Sequence, residues 1–149
     1  MANKFILTSI LSFFFFATWS QTAPAKLTWK QLQDIDYESK FVKEADMEVM
    51  FPKFPSTMLK FDGKEVIVEG FVIPFDKSGT KVALSAYPYA SCFFCGKAGP
   101  ASVLTVELKT PNKKYNTDDY ITFRGKLALN SSDIKEFYYI LKGAVEIKE

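Results

Sequence analysis

Lys64-Glu65-Val66-Ile67-Val68-Glu69-Gly70-Phe71-Val72-Ile73-Pro74 is the stretch on which the fold turns. It follows an Asp62-Gly63 turn signal and reads as one long strand, rich in β-branched residues, with a glycine in its middle. Ile121-Thr122-Phe123-Arg124-Gly125-Lys126-Leu127 repeats that signature. A mid-strand glycine marks a bend or a close backbone approach, and strongly bent long strands suit a small closed barrel. Further strands are expected over Lys81 to Tyr87, Ser102 to Lys109, Tyr120 to Leu129 and Phe137 to Ile147, separated by segments rich in Gly, Pro, Asn, Asp and Ser. The expected class is mainly β, a five-stranded OB-like barrel, because a sandwich would show about seven shorter strands.

Upstream of the barrel, Leu27-Thr28-Trp29-Lys30-Gln31-Leu32 carries two helix-start devices. Thr28 and Gln31 have capping-box spacing, and Leu27 and Leu32 that of a hydrophobic staple. A short helix should begin at Trp29, with Trp29 and Leu32 packed over one end of the core. Tyr37 to Pro55 gives mixed signals. Phe41, Val42, Ala45 and Val49 suit a helix, Glu48 to Phe51 an extended strand, and Pro52 and Pro55 should end either one. The organisation is therefore a leader over 1–20, an N-terminal arm with a short helix over 21–60, and the OB-like barrel over 61–149.

The leader reading rests on Lys4 followed by the apolar run Phe5 to Trp19, which ends in Ala17-Thr18-Trp19-Ser20 and gives way to Gln21-Thr22-Ala23-Pro24. That is a secretory signal pattern with cleavage expected near Gln21, and the run is too short for a convincing membrane span. Export to the periplasm or the extracellular space is expected, with no direct membrane span in the mature chain. Removing residues before Gln21 deletes one lysine from the 19 basic and 17 acidic groups, so the mature charge is near +1. A chain so balanced has no electrostatic reason to seek nucleic acid.

Cys92-Phe93-Phe94-Cys95-Gly96 holds both cysteines of a chain that contains no histidine. The missing imidazole removes Ser-His-Asp and Cys-His nucleophiles, and Gly96 stands where a c-type haem attachment would need histidine. Three uses of Cys92 and Cys95 remain. They can close a loop disulfide, natural in an oxidising compartment. They can hold Cu(I) or Zn, although two sulfurs leave tetrahedral zinc short of ligands, and Met47 and Met50 could add thioethers for Cu(I). They can also exchange electrons, but no parallel βαβ pattern surrounds them and no helix start lowers a thiol pKa. No cofactor is expected beyond such an ion.

Tyr87, Tyr89, Phe93 and Phe94 form a candidate binding surface beside the thiols, with Phe71, Phe75, Tyr138 and Tyr139 as further stacking candidates, since OB-like barrels bind oligomers on one face. Asp118, Asp119 and Asp133 suit turns and solvent rather than acid-base chemistry. Asn130-Ser131-Ser132 matches a glycosylation acceptor but reads as an exposed turn. Gly96-Lys97-Ala98-Gly99-Pro100 lacks the spacing of a phosphate loop.

Phe61-Asp62-Gly63-Lys64, the strand ending Gly70-Phe71-Val72-Ile73-Pro74, and Pro88-Tyr89-Ala90-Ser91-Cys92 with Pro100 together resemble an uncharacterised family of exported bacterial domains of unknown function. Its members read Leu-Asp-Gly-Lys, Gly-Tyr-Val-Val-Pro and Pro-Tyr-Phe-Gly-Ala-Cys-Ile-His. The resemblance covers about half the chain and implies an OB-like fold and an association with a transport system. Cys92 falls on the family cysteine and Phe94 on its histidine, so a Cys-x-His ligand pair does not carry over. The reading that follows is an exported binding or accessory module, not an enzyme, with a membrane transporter or another exported protein as partner. Metal handling through Cys92 and Cys95, and thiol-disulfide exchange, are the alternatives.

Overall fold

The structure is a computed structural model that describes residues 23–91 and 98–148. Its elements in chain order are β1 (Ala25–Lys26), α1 (Trp29–Gln33), β2 (Asp36–Val42), β3 (Met47–Lys53), α2 (Ser56–Leu59), β4 (Glu65–Pro74), β5 (Lys81–Ser85), β6 (Val103–Leu108), β7 (Tyr120–Leu129) and β8 (Tyr139–Glu146). Single 3-10 turns at Tyr89–Ser91 and Pro100–Ser102 flank the β5–β6 connection.

Five strands close into a barrel in the order β4-β5-β6-β8-β7 and back to β4. Every neighbouring pair is antiparallel except β6 with β8, which run parallel. This Greek-key order is that of the OB-fold. The bends fall at the two signature glycines. Strand β4 pairs with β7 up to Phe71 and with β5 from Phe71 onward, so it changes partner beside Gly70. Strand β7 slips register against β8 between Arg124 and Lys126, around Gly125. Neither glycine has positive φ. Close approach is the reason for both: a Cβ on Gly70 would meet the Ser85 carbonyl at 2.6 Å, and one on Gly125 the Leu141 side chain at 2.9 Å.

Alternate residues of each strand fill the barrel, with Val66, Val68, Val72, Leu84, Leu104, Phe123 and Leu141 all buried. The arm completes this core. The Thr28–Gln31 capping box forms as its spacing requires, and the helix it starts buries Leu32 fully, while Leu27 and Met58 are buried beside it. Trp29 packs over Gly70, and its indole N–H donates to the Glu69 carbonyl at 2.7 Å. Strand β1 adds to β4 in parallel.

The mixed stretch Tyr37 to Pro55 is a β-hairpin, β2 paired with β3 over its full length. Its turn is closed by Asp46 at φ 51°, and the helical spacing of Phe41, Val42, Ala45 and Val49 is overridden by this pairing. Pro52 lies inside β3 instead of ending it. A two-stranded ribbon has a free outer edge, where a residue without an N–H breaks no ladder. Among the described residues, no helix is long and apolar enough to cross a membrane.

Candidate functional site

The outer face of β5 and β6 should be polar if water covered it, yet Ala83, Val103 and Thr105 are buried there. Ile73, Ala83 and Val103 form a small apolar cluster outside the barrel, with Phe137 packed on it. Two structures cover this face. One is the β2–β3 hairpin, and the other is the β7–β8 connection over residues 130–138. Between them runs a groove of about 510 Å³, a volume in the range of small-molecule sites.

Val49, Met50, Phe51 and Pro52 form one wall, and Asn130 and Ser132 to Tyr138 the other. Lys81 and Thr105 contribute to the floor, and Phe75 and Pro100 to the rim. Four consecutive β3 residues border the groove, so it meets the strand's edge and not one of its faces. That edge is blunted against pairing. The Tyr138 hydroxyl donates to the Met50 carbonyl at 2.7 Å, and Pro52, two residues on and hence on the same edge, has no N–H to offer.

The charged groups of the floor satisfy one another. The Lys81 ammonium lies 2.9 Å from Glu136 Oε1 and 3.0 Å from Glu107 Oε1. Thr105 Oγ1 donates to Glu136 Oε2 at 3.3 Å. The hydrogen bond to Glu136, followed by that to Glu107, raises the Lys81 pKa above that of an ordinary lysine, so it stays protonated and is no nucleophile. All three side chains are about one-third exposed, which leaves each pair worth about 0–1 kcal/mol after screening. The far wall is held by Asn130. Its Nδ2 donates to the carbonyls of Asp133, Glu136 and Phe137, and its Oδ1 accepts from the N–H groups of Ser132 and Asp133. An amide so committed has no capacity left for a glycan.

With its floor charges engaged by one another, the groove offers mainly apolar surface. Phe75, Met50 and Ile134 at its mouth are 53%, 49% and 42% exposed. Single exposed apolar side chains are ordinary, but three converging on one concavity make it the candidate site.

The aromatic residues singled out in the sequence separate into different places. Phe75 and Tyr138 line the groove, whereas Tyr139 is fully buried. Tyr87 and Tyr89 are exposed beyond the end of β5, where the Tyr89 N–H donates to Asp118 Oδ1 at 2.8 Å. At that corner Phe71 meets Tyr120 edge to face, with ring centroids 5.0 Å apart. Cys92, Phe93, Phe94 and Cys95 lie outside the described residues. Met47 and Met50, three apart on a strand, project to opposite faces and do not form a thioether pair. Among the described residues no three of His, Cys, Asp or Glu are arranged to hold a metal ion. Asp118 and Asp133 serve turns as expected, Asp118 at φ 69° and Asp133 accepting from the Lys135 N–H.

No family model matches the chain, and no curated protein matches its sequence. Among solved structures, the crystal structure of a DUF3299 family protein from Pseudomonas aeruginosa is similar, with a TM-score of 0.53 and 14% identity over 86% of this chain and 99% of that one. The likeness is one of fold. It agrees with the expected resemblance as far as an OB-like domain of a family without known function.

Proposed function

We propose that the protein is an exported, non-enzymatic binding module whose ligand lies in the groove over β5 and β6. The observation that carries this reading is the place of the groove. It lies across the second and third barrel strands, walled by the connection that follows the fourth and by β3 of the hairpin, with Phe75 of the connection that follows the first at its rim, and this is the face OB-folds use for ligands. The blunted β3 edge argues against an added peptide strand, and the Lys81–Glu107–Glu136 floor, in which two carboxylates outweigh the one ammonium, argues against an anion such as a phosphate. The ligand class that remains is elongated and predominantly apolar. In an oxidising compartment, Cys92 and Cys95 serve this reading as a closed disulfide in the β5–β6 connection.

Nile red, a neutral apolar fluorophore, tests the groove. Its emission should rise on adding the protein and saturate near one dye per chain. Ile134→Asp and Phe75→Asp, at exposed positions where folding tolerates a charge, should each weaken that binding at least tenfold. Binding that is absent, or indifferent to both substitutions, overturns the reading.

A further inference from the structure

Two adjacent tyrosines of the β7–β8 region hold the arm in different ways. Tyr139, fully buried, fixes its base: its hydroxyl donates to the Leu32 carbonyl at 2.7 Å, just before the hairpin, and its ring packs on Phe54, just after it, at 5.5 Å between centroids. Both roots of the hairpin are thereby tied to one immobile side chain. Tyr138 holds the hairpin itself. Its ring lies 6.0 Å from that of Tyr37 on β2, and its hydroxyl reaches the Met50 carbonyl on β3.

Between the roots the attachment is thin. Among the described residues, the hairpin strands pair only with each other, and no backbone–backbone hydrogen bond joins them to the barrel, although the Tyr37 hydroxyl meets the Ala101 backbone ahead of β6. An isolated two-stranded ribbon is marginal in water, so this one depends on its seat. The seat is shorter than the hairpin. Tyr37, Ser39 and Phe41 share a face with Glu48, Met50 and Pro52 across the ladder. Pro52 at the base is buried and Tyr37 partly so, but Phe41 at the far end is 59% exposed. The opposite face carries the Glu38–Lys40 and Glu38–Lys53 ion pairs and suits water. This face, apolar at Tyr37, Phe41, Met50 and Pro52 and polar where Ser39 Oγ donates to Glu48, thus extends past the groove that the edge of β3 borders.

We propose that the β2–β3 hairpin is a hinged flap that opens and closes the groove, pivoting at residues 34–35 and 54–55 and latched shut by Tyr138 on the Met50 carbonyl. Opening moves the Val49–Pro52 wall away from the barrel and frees an entry. Closure brings Met50 and Phe41 over an occupant. The proposal rests on the groove being the binding site only for its purpose, since the motion is a property of the empty protein.

Hydrogen exchange of the full chain, read by mass spectrometry, tests it. Amides of Asp36–Val42 and Met47–Lys53 should exchange faster than those of β4 and β7, through an opening that leaves the barrel closed. Tyr138→Phe keeps the ring contact with Tyr37 and removes the latch. It should speed hairpin exchange about fivefold, the size of one net hydrogen bond, and leave the barrel amides unchanged as an internal control. Hairpin amides that exchange only with the barrel, or a hairpin indifferent to Tyr138→Phe, overturn the flap. Saturating Nile red should slow hairpin exchange more than barrel exchange. Dye bound without that slowing also overturns the proposal, whereas dye that fails to bind while the hairpin opens independently overturns the groove reading and leaves the flap standing.

Discussion

Adding one methyl group at Gly70 should cost the protein about 1.3 kcal/mol net, and the structure says why. The new Cβ would lie 2.6 Å from the Ser85 carbonyl, 3.1 Å from the Trp29 ring and 3.2 Å from Leu84 Cγ. The nearest of these is backbone, at the point where β4 passes from β7 to β5, so relief requires moving a ladder and not a rotamer. Overpacking of this kind costs about 1–3 kcal/mol. Against it stands a gain of about 0.4–1 kcal/mol, because alanine restricts the unfolded chain. For a domain of this size the net loss lowers the melting temperature by roughly 5 °C. Gly99→Ala is the control, since its Cβ meets nothing within 4 Å, and it should be neutral or slightly stabilising. Urea and thermal melts followed by circular dichroism measure the difference. In a chain beginning at Gln21, Trp29 is the one remaining tryptophan, so its emission should also shift to the red in Gly70→Ala as the indole is pushed off the barrel. A Gly70→Ala midpoint equal to that of Gly99→Ala, with unchanged emission, would refute the close-approach account of the bend.

Tyr139→Phe should lower stability by about 1–3 kcal/mol in urea melts, because it leaves the buried Leu32 carbonyl without its donor. Burial holds the Tyr139 pKa well above 10.0; its contribution is therefore complete below that value and lost as pH rises toward the folded-state pKa, so alkaline absorbance titration should show its ionisation coinciding with unfolding, and Tyr139→Phe should weaken that pH dependence. A chain beginning at Leu27 should fold, since it loses only β1, while one beginning at Phe61 should not, because it lacks the buried Leu27, Leu32 and Met58; circular dichroism of the two truncations decides. Asp76 accepts from Ser78 Oγ, Thr80 Oγ1 and the N–H groups of Ser78, Thr80 and Lys81 in the β4–β5 turn, and these bonds, led by that from the Ser78 hydroxyl, hold its pKa far below that of a free carboxylate. Its contribution is present above 3.8 and lost as pH falls toward its folded-state pKa, so Asp76→Asn should flatten the acid limb of the stability profile.

The barrel strands were legible because their signal is local. Tyr120 to Leu129 is β7 to the residue, the expected Lys81 to Tyr87 strand ends two residues early at Ser85, and the Thr28–Gln31 box starts its helix where the spacing places it. The hairpin was legible only in its second strand, where the extended alternative for Glu48 to Phe51 lies within β3. Phe41, Val42, Ala45 and Val49 satisfy a helical period by chance, and what puts Ala45 in a turn and the other three in strands is the β2–β3 ladder and its seat on Tyr138, which lies 88 positions beyond Met50. The groove was illegible for the same reason, since its walls come from segments that meet only after the barrel closes. Two hints were present: Ala83 and Val103 are apolar on the outward side of their strands, and Ile134 and Phe137 are apolar within a polar connection. Both say that something covers that face, but neither says what.

The parallel β6–β8 contact imposes an order on folding. Strand β8 must slide between β6 and β7, so the barrel cannot close before Tyr139 is available. Tyr139 is also the residue that fixes Leu32, 107 positions earlier. The arm around Leu32, made well before the barrel strands, is thus among the last segments to find its place, and until then β6 and β7 present unpaired edges. Closing so long a loop adds an entropic barrier and makes for slow folding. A chain threaded across a membrane from its N-terminus would gain from that delay, remaining extended until its last strand arrives.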